Sequence, residues 1–160
     1  MKPILVLGIG NILLGDEGVG VHTVWQMQRM ALPPDVEAVD GGTSGADLID
    51  VIADRRKLIV IDAVKADVPA GAVFRFGMDE LIEQRRNSTI SLHELGLLET
   101  LMMARQLDCL PKEIVIFGIV PKTIEPGLDL TPKIYDASRR VIGLVFQECG
   151  KKFDPVGLMK

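Results

Sequence analysis

Short apolar runs rich in Val and Ile alternate along this chain with longer segments whose apolar residues recur at helical spacing. This alternation is typical of βαβ units built around a parallel sheet. The runs are continuously apolar, as expected of strands covered by helices on both faces. The sequence therefore predicts one three-layer α/β domain with a mostly parallel, twisted, five-stranded sheet and helices on both faces. We expect the main strands at 3–9, 36–40, 58–62 and 113–119.

The remaining strand and the helices are predicted from weaker signals. A run at 71–76 follows a turn at Pro69 and is expected to be an edge strand. The sequence does not indicate whether it runs parallel or antiparallel to its neighbour. Helical spacing predicts helices at 17–30, 46–53, 78–84 and 131–149, and 85–89 is expected to be a polar loop. Ser91 and Glu94 have the form of a capping box, which predicts a helix from there to about residue 107.

Composition limits the size and the partners of the protein. The 160 residues, 48% of them hydrophobic, suit one domain at 1–149, followed by a tail at 150–160 that we expect to be flexible. The net charge of −4 includes no basic patch, so nucleic acid is not expected as a partner. No apolar stretch approaches the roughly 20 residues that span a bilayer. Two cysteines in the whole chain indicate a reducing compartment, and we expect a cytoplasmic protein.

Polar residues follow several of the predicted strands, at the sheet edge where α/β proteins bind ligands. Glu17 lies in the turn after strand one, Asp40 and Asp62 end strands two and three, and His93 opens a later helix. Two carboxylates and one imidazole would form an incomplete coordination sphere that suits Ni or Zn and leaves positions open for water or substrate. Each residue also has an ordinary structural explanation, as a helix-dipole partner, a turn former or a packed side chain.

Two nucleotide-binding motifs are excluded by single positions in the glycine-rich turn. A dinucleotide fingerprint requires a third glycine where this chain has Leu13. A phosphate-binding P-loop requires Lys and Ser or Thr after Gly15, where this chain has Asp16 and Glu17. Two acids in this turn favour a cation over a phosphate.

Four segments resemble the hydrogenase maturation protease family, in the family's order. They are the opening 4–20 (ILVLGIGNILLGDEGVG), Asp40-Gly41-Gly42-Thr43, Ile61-Asp62-Ala63 and Ser91-Leu92-His93-Glu94. The resemblance extends over nearly all of 1–149 and leaves out the tail.

The resemblance implies an endopeptidase that removes the C-terminal extension of a [NiFe]-hydrogenase large-subunit precursor after nickel insertion. It implies Glu17, Asp62 and His93 as ligands of a nickel ion supplied by the substrate, for which Cd or Zn would substitute in crystals. It also implies a specificity loop at Asp40, Gly41, Gly42 and Thr43, with Asp40 as a further catalytic candidate. No Ser, Cys or Thr nucleophile with an adjacent base is evident. We expect a monomer.

Two other classes of function stay open from the sequence. If the protein is a nucleotide-binding enzyme, it should bind NAD or a flavin saturably. Leu13 argues against this class, because it replaces the third glycine of the dinucleotide fingerprint. A non-catalytic nickel-insertion chaperone predicts binding of the precursor without loss of its tail.

Overall fold

The computed structural model describes residues 1–43, 45–87, 90–92 and 96–150. The strands are β1 (Ile4–Ile9), β2 (Val36–Gly42), β3 (Lys57–Ala66), β4 (Val73–Phe76), β5 (Ile90–Leu92) and β6 (Glu113–Ile119). The α-helices are α1 (Val19–Gln28), α2 (Ile49–Ile52), α3 (Met78–Asn87), α4 (Gly96–Gln106) and α5 (Pro132–Glu148). Two 3₁₀ turns, Gly15–Gly18 and Ala46–Leu48, lead into α1 and α2. The predicted tail lies outside the described residues.

The main sheet has the strand order β2-β1-β3-β6-β4. Strands β2, β1, β3 and β6 are parallel, and β4 pairs antiparallel with β6 at the edge. These strands confirm the predicted α/β class and the mostly parallel five-stranded sheet. They also fix the orientation of the edge strand, which the sequence left open. The short β5 pairs antiparallel with the far end of β3 and was not predicted.

Alternate residues of the central strands enter two separate apolar cores, as the two-residue period of a strand requires. On one face, Val6, Ile59 and Phe117 pack with helices α1 and α5. On the other face, Leu7 and Val60 pack with residues of α2, α3 and α4. Every residue of β1 is buried, as its continuous apolar sequence predicts. The three-layer prediction is therefore confirmed.

The segment before α4 differs from its prediction. Residues 90–92 form strand β5, and α4 begins only at Gly96, so the capping box predicted at Ser91 is wrong. Pairing with residues 64–66 of β3 gives these backbone groups sheet partners, which outweighs the local helix-start pattern. Helix α3 continues to Asn87, so the polar loop predicted from Arg85 is also wrong at 85–87. His93 and Glu94 lie outside the described residues.

The edge of the sheet opposite the predicted site carries a buried lysine. Lys57 is 8% exposed, and its Nζ donates to the main-chain carbonyl of Glu148 at 2.9 Å and to its carboxylate at 3.0 Å. Hydrogen bonds from Arg75, and then from Lys57, lower the pKa of Glu148. This cluster anchors the end of α5 to the first residue of β3.

Both cysteines are partly exposed, free thiols. Burial raises the pKa of Cys149 to about 11, which favours the protonated thiol. None of the helices in the described part of the chain is both long and apolar enough to cross a membrane.

Candidate active site

The strand order reverses between β1 and β3, and ligands of α/β proteins bind at such a switch point. Strand β2 lies on one side of β1 and β3 on the other, so Gly8 pairs with both Asp40 and Ile61. Asp62 is the next residue along β3. Asp40 and Asp62 therefore lie toward the carboxyl edge of the sheet, on the two strands that flank β1. The strand ends predicted at residues 40 and 62 are wrong, because β2 continues to Gly42 and β3 continues to Ala66.

Close backbone packing places the first helix directly against this edge. A Cβ atom at Gly20 would lie 2.1 Å from the Ile61 carbonyl oxygen and 2.4 Å from that of Ile9, so only glycine fits there. The 3₁₀ turn that precedes α1 contacts β3. This turn carries Glu17, which is 5% exposed, and Asp62 is fully buried. Two buried carboxylates thus come from neighbouring segments at the switch point.

The main chain defines part of the environment of Asp62. Its Oδ1 accepts a hydrogen bond of 2.8 Å from the backbone N–H of Ala63. Further along β3, Val64 pairs with Leu92, the last residue of β5. His93 is the next residue in the sequence and lies outside the described residues, so the predicted three-ligand set is not tested. The described residues alone contain no metal-binding group of three His, Cys, Asp or Glu side chains.

Asp16 has a role that the sequence did not predict. Its Oδ2 accepts from the backbone N–H groups of Lys122 and Thr123, at 3.0 and 3.1 Å, and from the Thr131 hydroxyl at 2.9 Å. Its Oδ1 accepts from the Thr131 backbone N–H at 2.8 Å. Asp16 is fully buried and ties the turn that carries Glu17 to the start of α5.

Asp40 is exposed at the end of β2, and both of its carboxylate oxygens have donors. Oδ2 accepts from the indole N–H of Trp25 at 3.0 Å, and Oδ1 accepts from the backbone N–H of Gly42 at 2.8 Å. Gly42 has a φ of +54°, which favours glycine, and its carbonyl accepts from the Gly10 N–H at 2.9 Å. These bonds connect α1, the end of β2 and the turn after β1.

A cleft of about 310 Å³ opens between these segments. Its wall consists of the glycine-rich turn, one residue of α1 and the loop that ends β2: Gly10, Asn11, Ile12, Leu13, Val21, Asp40, Gly42 and Thr43. Three of the four residues predicted as a specificity loop, Asp40, Gly42 and Thr43, therefore line this cleft. Gly41, the fourth, is buried in the β2 end. The volume lies at the small end of the range for ligand pockets.

A second cavity of about 500 Å³ lies between α1 and the segment that leads into α5, with Trp25 and Tyr135 in its wall. His22 also lines it and packs edge-on against the Trp25 ring, with a centroid distance of 5.2 Å. Burial lowers the pKa of His22, and the charge of Asp129 opposes that shift in part. His22 is therefore a half-buried packing residue.

Comparison with known proteins gives one consistent result. The family model described as hydrogenase maturation protease matches residues 21–148. The hydrogenase 2 maturation protease of Escherichia coli K12 is 40% identical over 132 residues, which cover 82% of this chain and 80% of that protein.

Solved structures agree in sequence and in fold. The hydrogenase maturating endopeptidase HybD from E. coli is 38% identical, with a TM-score of 0.78 and 94% of each chain covered. The hydrogenase 2 maturation peptidase of a Thaumarchaeota archaeon is 31% identical, with a TM-score of 0.72, and the match covers 93% of this chain and 99% of that one. On the family match and these identities, the chain belongs to the hydrogenase maturation protease family.

Proposed function

We propose that this protein is the endopeptidase that removes the C-terminal extension of a [NiFe]-hydrogenase large-subunit precursor once nickel has been inserted. Its membership of a family of hydrogenase maturation proteases supports the reaction class and the substrate class. The observation that carries the finer proposal is the pair of buried acids, Glu17 and Asp62, at the switch point of the sheet.

Nickel enters this proposal as part of the substrate. Carboxylates buried on neighbouring segments favour a cation over any neutral or anionic ligand. Glu17, Asp62 and His93 supply two carboxylates and one imidazole, a donor set that borderline divalent metals accept. We propose that these three side chains complete the coordination of the precursor's nickel, and that Cd or Zn takes the same place in crystals. A precursor without nickel would lack the group that the site recognises.

The cleft beside these acids would hold the peptide next to the scissile bond. Asp40, Gly42 and Thr43 line this cleft, and they belong to the loop 40–43 proposed to set specificity. Asp40 keeps its carboxylate in a fixed orientation through two donors, which suits a group that orients a peptide or assists proton transfer. Hydrolysis would then use acidic residues without a covalent enzyme nucleophile, which makes the site aspartyl-protease-like, and the substrate's metal ion would be an addition to that chemistry. A metal ion supplies Lewis acidity to such a reaction.

We further propose that the protein acts in the cytoplasm as a monomer, with the precursor as its partner and without nucleic acid or membrane. Size-exclusion chromatography with light scattering at working concentration tests the oligomeric state. A stable dimer would contradict that part of the proposal.

The decisive experiment mixes the purified protein with nickel-loaded and nickel-free precursor and follows the tail by mass spectrometry. We expect tail removal only from the loaded precursor, and its loss in Glu17→Gln, Asp62→Asn and His93→Ala. Asp50→Asn is the matched control, because Asp50 is an exposed acid of α2 that does not line the cleft. Unchanged cleavage in one of the three variants would refute the role of that residue.

The same experiment separates a protease from a chaperone. Binding of the nickel-loaded precursor with an intact tail would refute the proposed activity and favour a nickel-insertion chaperone.

A further inference from the structure

Trp25 makes a hydrogen bond that connects the first helix to the candidate site. It is the only tryptophan of the chain, it is half-buried on α1, and its indole N–H donates to Asp40 at 3.0 Å. The ring lines the second cavity and not the cleft beside Asp40. Trp25 is therefore placed to act on the site through Asp40.

Without the hydrogen bond from Trp25, the bond from the Gly42 N–H would be the one contact among the described residues that orients the Asp40 carboxylate. The Gly42 N–H donates to Asp40 Oδ1 from only two residues away, and Asp40 is exposed to solvent. Such a short-range bond holds the turn but leaves the second oxygen free to exchange with water. The indole N–H comes from a helix packed on the sheet edge, so it supplies an anchor outside the loop. Two donors on two elements define the direction of the carboxylate.

The Trp25 ring also packs against a second side chain of α1. His22 packs edge-on against the ring, and neutral imidazole edges suit the face of an aromatic ring. His22 and Trp25 are three residues apart on α1, which puts them on the same side of the helix. The helix thus presents an indole in one orientation to Asp40.

We propose that Trp25 is a positioning residue that holds Asp40 in the orientation needed to bind the precursor peptide in the cleft. This inference rests on the proposed function, because it assigns Asp40 to peptide binding. It gives Trp25 no contact with the substrate. The consequence is a weaker Michaelis complex when the indole N–H is removed, with little change in the turnover of bound substrate.

The test is a double-mutant cycle on cleavage of nickel-loaded precursor, using Trp25→Phe, Asp40→Ala and the double variant. Phenylalanine keeps an aromatic ring beside His22 but has no N–H to donate. We expect Trp25→Phe to raise KM about tenfold, the ratio that corresponds to about 1.4 kcal/mol, with kcat nearly unchanged. In the Asp40→Ala background the same substitution should have no further effect on KM. Tyr135→Phe is the control, because its hydroxyl is bonded to no described residue and lies in the same cavity wall.

Fluorescence supplies a readout that does not depend on activity. The emission of the protein's tryptophan comes from Trp25 alone, so Asp40→Ala should shift the emission maximum while Asp50→Asn leaves it unchanged. Urea unfolding of Trp25→Phe, followed by circular dichroism, identifies a variant that simply fails to fold, and Trp25→Leu then replaces it as another apolar side chain without an N–H.

The outcomes separate the two proposals. Cleavage by the wild type with a KM that Trp25→Phe leaves unchanged refutes the positioning role alone. An equal rise in KM in both backgrounds also refutes it, because Trp25 would then act independently of Asp40. Absence of cleavage by the wild type refutes the proposed function and this inference together.

Discussion

Replacing Asp16 by alanine should destabilise the protein severely, although the residue is not a proposed ligand. The side chain accepts four hydrogen bonds, three from backbone N–H groups and one from the Thr131 hydroxyl. At about 1 kcal/mol for each bond lost in a partly buried loop, Asp16→Ala should cost about 4 kcal/mol of unfolding free energy. This is a large fraction of the roughly 5–15 kcal/mol that stabilises a typical domain.

Two further variants measure how much of this loss of unfolding free energy comes from particular hydrogen bonds. Asp16→Asn keeps one oxygen but turns an NH₂ group toward a donor, so it should cost about 2 kcal/mol. Thr131→Val removes one bond and should cost about 1 kcal/mol. Glu125→Gln, at an exposed acid in the loop that Asp16 holds, is the matched control and should stay within about 0.5 kcal/mol of wild type.

The assay is urea unfolding at pH 7, monitored by far-ultraviolet circular dichroism and by tryptophan emission. Agreement of the two probes would show that the domain unfolds as one unit. The reasoning would be refuted if Asp16→Ala were as stable as the control, or no less stable than Asp16→Asn. Either result would mean that the loop finds other acceptors at little cost.

Four other substitutions give predictions that depend on different contacts. Gly20→Ala should destabilise by about 2 kcal/mol or more in urea unfolding, since its Cβ would lie 2.1 Å from the Ile61 carbonyl; this overpacking outweighs the roughly 1 kcal/mol that alanine gains in a helix. Glu148→Gln should cost about 1–3 kcal/mol, because it leaves a buried lysine without its main carboxylate. Glu113→Gln alters a longer and more exposed contact of 3.4 Å to the same lysine, so its unfolding free energy should stay within about 0.5 kcal/mol of wild type. Equal losses in Glu148→Gln and Glu113→Gln would contradict this ranking. The pKa of His22 is lowered in the folded protein, so the unfolded chain binds more protons as pH falls below 6.5. Wild-type stability should then decline more steeply with acid than that of His22→Asn, and parallel pH profiles would contradict the assigned shift.

The sequence predicted those features that depend on local pattern. Continuous apolar runs gave the parallel strands, and their ends placed Glu17, Asp40 and Asp62 at one edge. The burial of both faces of β1, and of β3 over residues 57–64, is the physical reason for this success, since a strand covered on both sides forms a nearly continuous apolar run.

Contacts between distant segments were not predictable in the same way. The donors to Asp16 lie 106 to 115 residues further along the chain, so no local pattern in the sequence indicates them. The indole of Trp25 meets Asp40 only because β2 returns beside β1. Ser91 has a helix-start pattern, but pairing of its segment with β3 decides its conformation. The local sequence pattern indicates which secondary structure a segment favours, and its tertiary contacts decide which one it adopts.

The two hydrogen bonds from Thr131 to Asp16 also bear on the order in which the site is assembled during synthesis. A ribosome that has completed β3 has already made all three acids at the edge of the sheet. Asp16, in the turn that carries Glu17, lacks its last donors until the nascent chain reaches Thr131, more than four fifths of the way along the sequence. A chain that stops before this residue should therefore leave the turn without its attachment to α5, and Glu17 should take its final position only late in synthesis.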